Sequence, residues 1–82
     1  MNYIITFAPT TAAIQCDSMI KADPINAKLI PIPGFLKAGC GFACLFQNVQ
    51  KEKVESWIGK NNISYEELLE VRYENGLIST IS

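Results

Sequence analysis

The 82-residue chain contains no histidine. That removes the commonest general base, the usual switch near neutral pH and the commonest metal ligand. No Ser-His-Asp or Cys-His arrangement can be assembled, and no Gly-rich phosphate loop follows a strand. Cysteine is scarce and odd in number, so Cys16, Cys40 and Cys44 cannot form a complete intramolecular disulfide framework. No apolar run approaches the roughly 20 residues of a membrane span. The opening MNYIITFAPT has no basic start, and its apolar run is too short for a signal peptide. These absences predict a cytoplasmic protein with reduced thiols and no membrane partner. Seven basic residues face eight acidic ones without any basic cluster, which argues against nucleic acid as the main partner.

What is present belongs to a folded domain. A hydrophobic fraction of 49% with 18% charge excludes a disordered chain. Residues 1–82 suit one domain with no room for a second. A chain this short buries roughly 60–65% of the surface it would expose unfolded. Little stability is spare, so a partner protein or homodimer is compatible with the size.

The apolar, β-branched run at 3–7 predicts a buried strand bounded by Ala8-Pro9. A helix is expected over 11–22, capped by Thr10 or Thr11, with Ala13, Cys16 and Ile20 on its apolar stripe beside Ala12 and Met19. Asp23-Pro24 stops it. A second strand over 27–32 contains Pro31, which lacks an N–H and so places that strand at an edge. Residues 42–46 are almost wholly apolar, as in a central strand covered on both faces. A helix over 50–61 would bury Val54, Trp57 and Ile58. Strands over 68–73 and 77–81 flank Asn75-Gly76, a two-residue hairpin turn. The β-α-β, β-α-β order predicts an α+β, ferredoxin-like sandwich with an antiparallel sheet, both helices on one face and a C-terminal hairpin strand.

Chemistry concentrates between residues 32 and 46. Cys40 stands between Gly39 and Gly41, where neighbouring side chains do not shield its sulfur. Lys37 is the nearest positive charge in sequence and would favour a thiolate. A plainer reading makes the two glycines a tight turn and Cys40 a small filler. Cys44 shares a strand face with Phe42 and Phe46 and reads as a buried thiol. It is also a candidate second thiol if the backbone folds back across Gly41. In extended chain the two sulfurs' residues would stand roughly 13 Å apart, beyond the disulfide limit of about 7 Å between Cα atoms. Cys16 reads as core, with a resolving role left open. The Cys40-x-x-x-Cys44 spacing is half of a zinc site without a second half, so no metal or other cofactor is expected. Glu66, Glu67, Glu70 and Glu74 read as a solvated face.

The run Leu29-Ile30-Pro31-Ile32-Pro33, followed by Ala38-Gly39-Cys40-Gly41-Phe42-Ala43, resembles the small bacterial family of selenium/sulfur carrier protein-like domains. The opening Tyr3–Phe7 segment and Pro9-Thr10-Thr11-Ala12-Ala13 agree with it, and the likeness covers about residues 3–46. The resemblance implies a non-enzymatic carrier in which Cys40 holds a persulfide or selenide, with donor and acceptor proteins as partners. It also shows a departure. Family members often carry Arg after the second proline and a Ser-rich approach to the cysteine, where this chain has Gly34 and Phe35-Leu36-Lys37-Ala38-Gly39. The alternative is a ferredoxin-like interaction or regulatory module whose thiols are incidental or form a redox switch.

Overall fold

The computed structural model describes residues 1–36 and 39–80. In chain order the elements are β1 (Asn2–Thr6), α1 (Thr10–Ala22), β2 (Ala27–Pro31), β3 (Phe42–Gln47), α2 (Lys51–Lys60), β4 (Leu68–Glu74) and β5 (Leu77–Thr80). Each lies within a residue or two of its expected bounds. Ile81, expected in the last strand, lies outside the described residues. The sheet order is β2-β3-β1-β4-β5, and every neighbouring pair is antiparallel. The fold is a mixed α+β domain with a five-stranded, curled sheet. Its order departs from a four-stranded sheet because β5 takes the edge that β4 would hold.

β1 and β3 lie inside the sheet, and their registers explain why they are the most apolar strands. Ile5 stands opposite Cys44 and Tyr3 opposite Phe46. These four residues face α1 and α2, together with Ala12, Ala13 and Cys16 of α1 and Val54, Trp57 and Ile58 of α2. Trp57 meets Phe46 edge-on at 5.8 Å between ring centroids. Its indole N–H donates to the Asp23 carbonyl at 2.9 Å, so both ends of this amphipathic ring are satisfied in the core. Pro31 ends the edge strand opposite Phe42, where a missing donor costs no ladder hydrogen bond.

The second face of the sheet is buried without a helix over it. Ile4, Ala43 and Leu45 are fully buried there, with Val71 beside them. The sheet closes this face by curling. In a flat sheet β2 and β4 would stand three strand spacings apart, roughly 14 Å. Yet the Lys28 ammonium of β2 lies 5.7 Å from the centre of the Tyr73 ring of β4. Ile30, Leu36, Leu69, Tyr73 and Ile78 fill the space beneath. The sequence predicted that β3 would be covered on both faces but supplied no second cover.

Two local expectations have different outcomes. Neither Thr10 nor Thr11 caps α1: the N-cap is Pro9, in extended conformation, and no side chain bonds the free amides. At the C-terminal hairpin, Asn75 and Gly76 adopt φ of 53° and 77°, the paired left-handed conformation that a type I′ turn requires. Glu66, Glu67, Glu70 and Glu74 are exposed, as a solvated face should be.

Candidate functional site

The segment after β2 is anchored before it reaches the cysteine. The Leu36 N–H donates to the Pro33 carbonyl at 3.0 Å, closing a turn around Gly34 and Phe35. That turn sends the two apolar side chains in different directions. Phe35 is 46% exposed, whereas Leu36 packs under the curled sheet. Lys37, expected to supply a positive charge, lies outside the described residues.

The glycines on either side of Cys40 have separate reasons to be glycine. A Cβ added at Gly39 would lie 2.5 Å from the Ala8 carbonyl oxygen, so only a hydrogen fits against the β1–α1 connection. Gly41 has open space around it but adopts φ of 77°, a left-handed conformation costly for side-chain-bearing residues. Its carbonyl accepts from the Ile32 N–H at 3.0 Å. The Cys40 turn is thus seated between the entry to α1 and the exit from β2, and it leads directly into β3.

Cys40 is half-buried on this turn, with its side chain partly against the helix-side core. The Phe42 N–H donates to the Cys40 Sγ at 3.4 Å, and the Cys40 thiol donates to the Phe42 carbonyl at 3.3 Å. The Phe42 ring beside it is 44% exposed, the outward end of a strand whose next four residues are buried.

The other two thiols are fully buried. Cys16 projects from α1 and Cys44 from β3 into the same core cluster. The neighbouring Cys16 and burial push the Cys44 thiol far up from the ordinary range, so it stays protonated. Cys44 therefore lies sealed with Cys16 in the core, while the Cys40 sulfur is engaged by the Phe42 backbone. Among the described residues, no three Cys, Asp or Glu side chains gather as a metal centre would require.

Sequence reasoning did not find the Phe42 N–H or the Ala8 carbonyl, because backbone groups leave no signature in residue identity. The burial of Cys16 and Cys44 in one core cluster had a signal, since both residues fall on faces expected to point inward.

The fold and site define a small α+β domain that shows one half-buried cysteine on a glycine-bounded turn and seals two more in its core. The model of the family described as "Putative Se/S carrier protein-like" matches residues 2–70, and the chain belongs to that family. No curated protein and no solved structure shows a significant match.

Proposed function

We propose that this protein is a non-enzymatic sulfur or selenium carrier and that Cys40 bears the transferred atom. The observation that carries the reading is the placement of Cys40. It is the one thiol of three not sealed in the core, and a backbone N–H is aimed at its sulfur. Membership of the family supports the same reading. In the sulfur case, the Cys40 thiolate attacks the outer sulfur of a donor protein's persulfide. The donor's S–S bond breaks, the donor leaves as a thiolate, and a persulfide remains on Cys40. Attack by an acceptor thiolate on that outer sulfur reverses the sequence. No net oxidation occurs and no general base is needed. Gly39 and Gly41 hold the turn, and Lys37, three residues before Cys40, is the nearest positive charge in sequence. Donor and acceptor are cytoplasmic proteins. The architecture is read as a ferredoxin-like unit extended by β5, supported by inner β1 and β3, an edge β2 and two helices on one face.

A second reading, an interaction module, has one observation in its favour. A groove of about 400 Å³ lies between the end of β2 and the C-terminal hairpin, lined by Pro31, Pro33, Phe35, Tyr73 and Leu77 among others. Mass spectrometry of freshly purified, unreduced protein decides between them. The carrier reading expects an added sulfur or selenium mass on Cys40, lost on reduction and absent from Cys40→Ser. Iodoacetamide should also modify Cys40 before Cys16 or Cys44. An unmodified Cys40 that still fails to accept sulfur from a small persulfide donor would leave the interaction module as the better account.

A further inference from the structure

Among the described residues neither edge of the sheet has a further strand beside it, and the two edges are built differently. A free edge offers unpaired N–H and C=O groups to any extended segment, and proteins blunt such edges with Lys, Pro or a bulge. β2 carries both Lys28 and Pro31. β5 reads Leu77-Ile78-Ser79-Thr80, with neither charge nor proline. Leu77 is 75% exposed, the most exposed large apolar side chain among the described residues.

The hairpin turn decides which backbone groups face outwards. Across a two-residue turn the flanking residues, Glu74 and Leu77, bond to each other. Bonding direction alternates along a strand, so Ser79 also turns towards β4, opposite Arg72. The N–H and C=O groups of Ile78 and Thr80 therefore point to the open side.

We propose that β5 pairs antiparallel with β5 of a second copy of this chain, Ile78 opposite Ile78, joining the two sheets into one. A strand paired with its own kind about a two-fold axis is self-complementary, so each Ile78 N–H meets the other copy's Ile78 carbonyl. The charges choose this register. Leu77 of one copy stands opposite Ser79 of the other, so each row across the joined sheets runs Arg72, Ser79, Leu77, Glu74 and ends in opposite charges. Setting Ser79 opposite Ser79 instead would align Arg72 with Arg72. On the other face the row is Tyr73, Ile78, Ile78, Tyr73, apolar throughout. The chain itself supplies the matching order of charges, which favours a second copy over another protein's strand. Cys40 takes no part, so the dimer stands apart from the carrier reading.

The experiment uses the full chain under reducing conditions. Sedimentation velocity from about 10 μM to about 1 mM should show monomer passing to dimer. Over the same range hydrogen exchange at the Ile78 amide should slow at least about tenfold, while the Leu77 and Ser79 amides, already bonded to β4, change less. Leu77→Lys should weaken association at least about tenfold by guarding the edge. Its melting temperature in dilute solution should match wild type, because Leu77 is already exposed. Arg72→Glu should weaken association by leaving like charges at both ends of each row, and combining it with Glu74→Arg should restore it. Cys40→Ser should dimerise as wild type does. A monomer at every concentration, unchanged exchange at Ile78, indifference to Leu77→Lys, a charge exchange that restores nothing, or association lost in Cys40→Ser would each overturn the proposal.

Discussion

Gly39 shows how a residue with no side chain can position one that reacts. Its backbone lies against the Ala8 carbonyl so closely that a methyl group would collide with main chain, which cannot swing aside. Gly39→Ala should therefore destabilise the protein by about 1–3 kcal/mol through overpacking. It should also alter the rate at which Cys40 is alkylated, because the turn must shift to relieve the clash. Gly34 provides the control, with open space around its Cβ position and an ordinary φ. Gly34→Ala should be nearly neutral by thermal melting. Equal effects from the two substitutions would mean that Gly39 is not pressed against the β1–α1 connection.

At the level of elements, the end of α1 is tied to α2 through one residue. Asp23 accepts the Trp57 indole N–H on its carbonyl and the Asn61 side-chain amide on its carboxylate at 3.2 Å. Lys60 lies 3.1 Å from the same carboxylate oxygen. The hydrogen bond from Asn61, followed by that from Lys60, lowers the Asp23 pKa below the ordinary carboxylate value. A carboxylate whose pKa is lower folded than unfolded contributes stability that is complete above its unfolded value, about 3.9. That contribution fades as the pH falls through the lowered, folded value. Asp23→Asn should thus melt at a lower temperature than wild type at pH 7, with the gap closing as the solution is acidified below about 4. A gap that stays constant with pH would show that the Asp23 charge does not link the helices.

For the whole molecule, the curl of the sheet decides what becomes of the segment that carries Cys40. Because β2 and the hairpin approach each other across the second face, there is an apolar space for Leu36 to enter, while Phe35 remains outside. Leu36→Ala should cost about 1–2 kcal/mol, at or below the foot of the roughly 2–5 kcal/mol range for a fully buried aliphatic side chain, because Leu36 is only partly buried. It should also raise hydrogen exchange at the described amides of residues 33–41. Phe35→Ala should change stability by no more than about 0.5 kcal/mol, as surface substitutions usually do. If both variants melt alike, the segment is not pinned by Leu36.

Much of this fold is legible in residue order because its signals are local. Pro31 has no N–H, so β2 must be an edge; Asn75-Gly76 tolerates positive φ, so a tight hairpin follows; the stripe of Ala12, Ala13, Cys16 and Ile20 has helical spacing, so one face of α1 turns inward. The bare, glycine-flanked position of Cys40 is legible for the same reason. The N-cap of α1 was misread, since either threonine has suitable chemistry and only the path of the chain from β1 places Pro9 at that position. The closure of the second sheet face was illegible: twist accumulates over five strands, and no single residue encodes it. Phe35 and Leu36 are adjacent and similarly apolar, so only that closure separates the one that anchors from the one that is displayed. The shared burial of Cys16 and Cys44 brings positions 28 residues apart into one core cluster. Their inward faces follow from periodicity, but which inward residue meets which depends on how α1 seats on β3, and packing alone decides that.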